Sequence, residues 1–149
     1  MDNVVSGVNF ASILVAGLGA GYGMAFCGYW MEGVFGLPKI DLRDLGGIYE
    51  GGTGANAWWT GVLANFAESV LIAVGFAALV YSRLPGPGWV RGVIFGALLW
   101  LAGFLVTVAG KLVHGKVFQR FTLTPSYIAG NLLQHLVFGV ILGSMYSPQ

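Results

Sequence analysis

Charge is what this sequence has least of: only 9% of its 149 residues are Asp, Glu, Lys or Arg, against about a quarter in soluble domains. That shortage excludes an ordinary water-soluble globular domain. A net charge of +1, with no run of one sign, leaves no electrostatic footprint for nucleic acid. Cysteine is nearly absent too, and the single Cys27 excludes an intrachain disulfide and dithiol chemistry. No basic region precedes the first apolar stretch: its one early charge is Asp2, and the first cation is Lys39, so a cleaved signal peptide is not expected. Phe26, directly before Cys27, is too bulky for a lipoprotein cleavage site. Zinc-protease helices, nucleophile elbows and phosphate loops are also missing from the pattern.

What is present is apolar: 56% of the chain. The clearest stretch runs from Ala57 to Ser82, with Glu68 as its one charged residue, and about 26 helical residues at 1.5 Å each exceed the 30 Å of a bilayer core. Trp58 and Trp59 stand at one end and Tyr81 and Arg83 at the other, as aromatic rings and a snorkelling cation do at lipid–water boundaries. Comparable runs give spans at about 8–31, 89–111 and 125–146, with one long connection over 33–56. The expectation is an all-α polytopic membrane protein, one domain of four transmembrane helices in an up-down bundle. Leu84-Pro85-Gly86-Pro87-Gly88 forces a turn that should make the second and third spans antiparallel neighbours. Thr124 and Pro125 read as the N-cap and first residue of the last helix.

Glycine punctuates the spans at close-packing intervals. Gly17 and Gly21, Gly92 and Gly96, and Gly139 and Gly143 are small-xxx-small pairs, and Gly103 and Gly110 extend the bare face of the third helix. Gly17-Leu18-Gly19-Ala20-Gly21 is not a dinucleotide fingerprint, because Tyr22 takes the third glycine's place and no strand precedes it. In the long connection, 37–45 reads as a short interfacial segment starting at Pro38, and Asp41, Asp44 and Glu50 as a solvated or ion-paired surface. Lys111, His114, Lys116 and Arg120, interleaved with Val117, Phe118 and Phe121, read as a basic connector whose Lys111, Lys116 and Arg120 rest on lipid headgroups. Lys39, Arg43, Lys111, Lys116 and Arg120 on one side outweigh Arg83 and Arg91 on the other. By the positive-inside rule, both termini then face outward across a prokaryotic cytoplasmic membrane.

Chemistry is expected in an intramembrane polar layer. A carboxylate at mid-depth needs a partner, hydration or a proton, and His135 lies at a depth comparable to Glu68. Asn65 is one turn from Glu68 and Asn131 one turn from His135, while Gln134, Thr107 and Tyr22 can join the same layer. Two readings stand: a proton or solute relay using Glu68 and His135, or an interhelical hydrogen-bond clasp. Met24, Cys27 and Met31 lie along one helical face and are a soft donor set for Cu(I), or plain packing sulfurs. A b-type haem wants facing histidines, and His114 beside the membrane is badly placed against His135 within it. No cofactor is required by the pattern.

The last span, His135-Leu136-Val137-Phe138-Gly139-Val140-Ile141-Leu142-Gly143 followed by Tyr146, resembles the final helix of an uncharacterised prokaryotic family of small four-helix integral membrane proteins. The resemblance implies four spans and a packing role for that helix. The expected function is an accessory subunit, without catalytic activity of its own, packed within a larger respiratory, photosynthetic or monooxygenase-type membrane complex through its glycine faces. The alternative is a small oligomeric transporter or proton-conducting protein using Glu68 and His135. Partners are then the lipid bilayer and either other membrane subunits or further copies of the chain.

Overall fold

The computed structural model describes residues 8–50, 54–113, 118, 121 and 123–149, and every regular element among them is helical. α1 spans Phe10–Phe35, started by Asn9, whose side chain accepts the Ser12 N–H at 3.1 Å. It stops at Gly36, where φ of +64° lets the N–H turn back onto the Glu32 carbonyl at 3.0 Å, a left-handed cap that glycine adopts without a Cβ penalty. α2 spans Leu42–Tyr49. It begins later than Pro38, because its N-cap is Asp41, whose carboxylate accepts the Arg43 N–H at 2.8 Å while its carbonyl accepts those of Asp44 and Leu45. Residues 37–41 stay non-helical because their polar groups are used elsewhere. Lys39 pairs with Glu32 and lies 3.7 Å from Asp41, and Ile40 N–H donates to Gln134 at 3.2 Å.

α3 spans Ala57–Gly75 and runs on through a π-helical turn, Phe76–Val80, into a 3-10 turn, Tyr81–Arg83. α4 spans Gly88–Val113. α5 spans Pro125–Met145, capped by the Thr124 hydroxyl, which accepts Tyr127 N–H at 3.3 Å, with proline where no donor is needed. The four long helices are each long and apolar enough to cross a membrane, which suggests an integral membrane protein. Between helices this apolar, association rests on van der Waals packing and interhelical hydrogen bonds more than on expulsion of water.

The close helix pairs form a chain, α3 against α1, α1 against α5 and α5 against α4, with α2 laid on α3. A Cβ on Gly92 would meet the Gly139 carbonyl at 1.9 Å, and one on Gly96 would meet the His135 carbonyl at 2.3 Å, so α4 and α5 touch backbone to backbone. Gly17 and Gly21 make room for α3, Gly17 against Ala73 and the Ser69 carbonyl and Gly21 against the Ser69 side chain. Gly46 and Gly61 seat α2 on α3.

The turn between α3 and α4 does not zip those two helices together. They meet near it through Phe76 against Phe95 at 5.0 Å and Arg91 over Tyr81 at 4.6 Å. The backbone partner of α4 is α5, because the glycine face of α4 points there. Phe76, Leu142, Phe138, Ile13, Ala16, Ala20 and Ala73 make the core at this end.

Candidate functional site

Away from the turn, α3 and α4 diverge and leave a cavity of about 340 Å³. Its polar wall carries Glu68 from α3, Thr107 from α4, Asn131 and His135 from α5 and Tyr49 from α2, and Trp100, Phe104, Phe118 and Tyr127 face them with apolar surface. An adjoining space of about 190 Å³ shares Glu68, Gly103 and His135 and reaches inward to Met24, Asn65 and Phe138.

The cavity exists because Gly103 presents no side chain and has nothing within 4 Å of where a Cβ would stand. α2 forms one wall because Leu45, Ile48 and Tyr49 recur at helical spacing on one face.

Glu68 and His135 line both spaces but bond to other groups. The Tyr49 hydroxyl donates to Glu68 Oε1. His135 Nδ1 lies 2.8 Å from the Asn131 carbonyl oxygen, and a carbonyl only accepts, so Nδ1 carries the proton. In the neutral ring Nε2 is then the basic atom. The hydrogen bond from Tyr49 to Glu68, with burial and the Glu68 charge behind it, pushes the Tyr49 phenol up to about 12. Among the described lining residues, Glu68 is the one acid and no Lys or Arg is present.

The other polar residues act as clasps. Gln134, 1% exposed, accepts the Ile40 N–H at 3.2 Å and donates to the Met24 carbonyl at 3.5 Å, pinning the segment after α1 to α5. Asn65 donates to the Gly21 carbonyl at 3.3 Å, tying α3 to α1. Thr107 donates to the Gly103 carbonyl at 2.9 Å in its own helix. Tyr22 stands outside the cavity, 64% exposed.

Of the packing glycines, Gly17, Gly21, Gly92, Gly96, Gly139 and Gly143 all face another helix of this chain, so their close-packing surface is used internally. Gly103 faces the cavity and Gly110 the Phe118 ring. Lys111 lies in the last turn of α4, whereas His114, Lys116 and Arg120 lie outside the described residues.

Met24 borders the inner space, Met31 is buried at 1% exposure and Cys27 is half-buried. Among the described residues no three His, Cys, Asp or Glu side chains converge on a point. Lys39 lies over the Tyr29 ring at 4.5 Å. Burial alone would lower its pKa, but the bond to Glu32 and the charges of Glu32 and Asp41 hold it above the ordinary lysine value.

Sequence reasoning missed Tyr49 as the partner of Glu68, and with it the role of α2 as a cavity wall. The signal was in the sequence: Leu42, Leu45 and Tyr49 fall on one face of a capped short helix. No family model, curated protein or solved structure matches the chain, so the site stands on its own geometry.

Proposed function

We propose that this chain is a polytopic membrane protein, its four long helices running up and down through a prokaryotic cytoplasmic membrane with both termini outside. In this reading it is a small carrier that binds a lipophilic organic cation in exchange for a proton on Glu68. The observation that carries the reading is the cavity between α3 and α4, where one carboxylate faces aromatic rings and no described lining cation competes with a bound one. Its volume sits at the lower end of the roughly 300–1,000 Å³ range of small-molecule sites.

A quaternary or phosphonium centre would meet Glu68 and the Trp100 and Phe104 faces, where cation–π attraction adds roughly 0.5–2 kcal/mol per contact. Phe76, Phe95, Tyr81 and Tyr146 fill the end near the turn, which favours a carrier over an open pore. His135 Nε2 offers a hydrogen-bond acceptor on the same wall.

The test uses tetraphenylphosphonium as probe, with the purified chain in mild detergent. Saturable binding that quenches tryptophan emission and weakens as added protons compete for Glu68 is expected, with Glu68→Gln losing it. Absence of saturable binding, or binding indifferent to Glu68→Gln, overturns the reading.

The accessory-subunit reading keeps one observation in its favour: α1 exposes Tyr22, Phe26, Tyr29 and Trp30 outward, an aromatic face that a neighbouring subunit would cover. Its other motive, surplus glycine surface, is weakened because the paired glycines face helices of the same chain. Recovery of a stoichiometric membrane partner in mild detergent supports it, and a lone monomer or homo-oligomer counts against it.

A further inference from the structure

The chain is built twice. α3 and α5 carry the same signature, Asn65, Glu68 and Ser69 against Asn131, Gln134 and His135, and each ends on Tyr-Ser, at Tyr81-Ser82 and Tyr146-Ser147. The single extra residue in the first copy is absorbed by the π-helical turn Phe76–Val80, which is what an insertion into a helix produces. α1 and α4 carry glycines at identical spacing, Gly17, Gly21 and Gly28 against Gly92, Gly96 and Gly103.

Contacts repeat in the same register. Gly17 packs on Ala73 and Gly21 on Ser69, as Gly92 packs on Gly139 and Gly96 on His135. Ser69 Oγ donates to the Asn65 carbonyl at 2.6 Å, as His135 Nδ1 does to that of Asn131 at 2.8 Å. Phe76 and Leu142, equivalent positions, are both wholly buried.

Such a repeat has two seams, α1 with α5 and α4 with α3, and only the first is closed along its length. There Gly19 and Gly23 receive Met145 and Ile141, and Gln134 lies under Gly28, bonded to the Met24 carbonyl and the Ile40 N–H. In the second seam the sizes are exchanged. Ile94 and Leu98 replace the two glycines, Gly75 replaces Ile141, Gly103 answers to Gly28, Leu99 to Met24, and Glu68 to Gln134. Gly75 and Gly103 both face open space. The seam keeps knobs and holes that match, with the holes empty.

We propose that the α3–α4 seam closes in the manner of the α1–α5 seam when Glu68 takes up a proton and occupies, under Gly103, the place that Gln134 occupies under Gly28. A protonated carboxyl has the shape of a carboxamide and an O–H to donate to the Leu99 carbonyl, whereas a carboxylate only accepts and would face that oxygen unfavourably. In the open seam Tyr49 holds the carboxylate toward α2. The other titratable groups lining the spaces around Glu68 are His135 and Tyr127 from α5; α1 and α4 bring none among the described lining residues. The π-helical turn is the hinge, because the ring cluster beyond it keeps α3 and α4 joined near the turn.

This rests on Glu68 being the working group of the cavity, and it needs no cation to be tested. Spin labels at Leu71→Cys on α3 and Leu105→Cys on α4, both exposed and introduced with Cys27→Ser, report the gap in the full chain. Closure brings the helix axes to about 8–10 Å. The label distance is expected to shorten on acidification, and to stay short at every pH in Glu68→Gln. Gly75→Ile fills the hole and is expected to keep the long distance throughout, with helicity retained as the control on folding. An unchanged distance in Glu68→Gln, or closure in Gly75→Ile, overturns the proposal. Closure without probe binding sinks the cation reading alone, and binding without closure sinks the gate alone.

Discussion

Replacing Gly139 with alanine tests how the bundle is held together. The added Cβ would stand 2.1 Å from the Gly92 carbonyl oxygen and 2.8 Å from its carbon, where ordinary contact begins at 3.4 Å. Both atoms are backbone, so no side chain can rotate away, and α4 must retreat by about 1.3 Å. A radial gap of 0.5–1 Å already forfeits roughly a quarter to a half of a dispersion well. Spread along the Gly88, Gly92 and Gly96 contact with α5, that loss is expected to cost about 1–3 kcal/mol, the range for overpacking. Alanine's better helix propensity works the other way by about 1 kcal/mol and is already inside that net figure. The control is Gly103→Ala, where nothing lies within 4 Å and only the propensity gain of up to about 1 kcal/mol remains. Unfolding of the full chain in mixed detergent micelles, followed by helical circular dichroism, measures both. Equal shifts for the two substitutions would refute the assignment of α4–α5 as a backbone-contact seam.

Gln134→Leu leaves the Ile40 N–H without its partner, and a loss of about 1–3 kcal/mol is expected in the same unfolding assay. The Tyr49 phenol is expected to ionise near 12 in an ultraviolet absorbance titration and to move back toward the ordinary tyrosine range in Glu68→Gln. Its folded value is raised, so the stabilisation from this bond is complete below the unfolded tyrosine range and is lost as pH climbs through about 12. Lys39→Met is expected to change stability by less than about 1 kcal/mol, because its Glu32 partner is half exposed to solvent. The Lys39 pKa is also raised, so any effect of that substitution should be full below the ordinary lysine range and be lost as pH rises through the raised folded value, which unfolding at two alkaline pH values checks.

The long helices were legible because apolar length is a one-dimensional property: Phe10–Phe35, Gly88–Val113 and Pro125–Met145 differ from the sequence expectation mainly at their ends. The cap at Thr124 was legible for the same reason, being local chemistry. Helix order in space was not, because the turn at Pro85 and Pro87 signals reversal of direction but not which neighbour α4 grips. That was decided by Gly92 and Gly96 matching Gly139 and Gly143 on a helix further along the chain. The polar layer was half visible. Depth placed Glu68 and His135 together, yet each side chain's bond depends on rotation about its helix axis and on α2, whose Tyr49 reaches Glu68 from outside the spans. The start of α2 was misplaced at Pro38 because Lys39 and Ile40 are held by Glu32 and Gln134, contacts that no local pattern displays.

The π-helical turn also sets a rotational phase. One residue advances an α-helix by about 100°, and the π-helical turn takes up the added one, so that Tyr81 stands where Val80 would in a continuous α-helix and meets Tyr146, ring centroids 4.9 Å apart. Deleting one residue there would return the turn to α-helical geometry and leave the two tyrosines in contact, whereas adding a second residue that no bulge takes up would swing Tyr81 and Arg83 around the axis by about 100° and separate the rings. At this place in the chain one residue of extra length has been taken up without a change of direction.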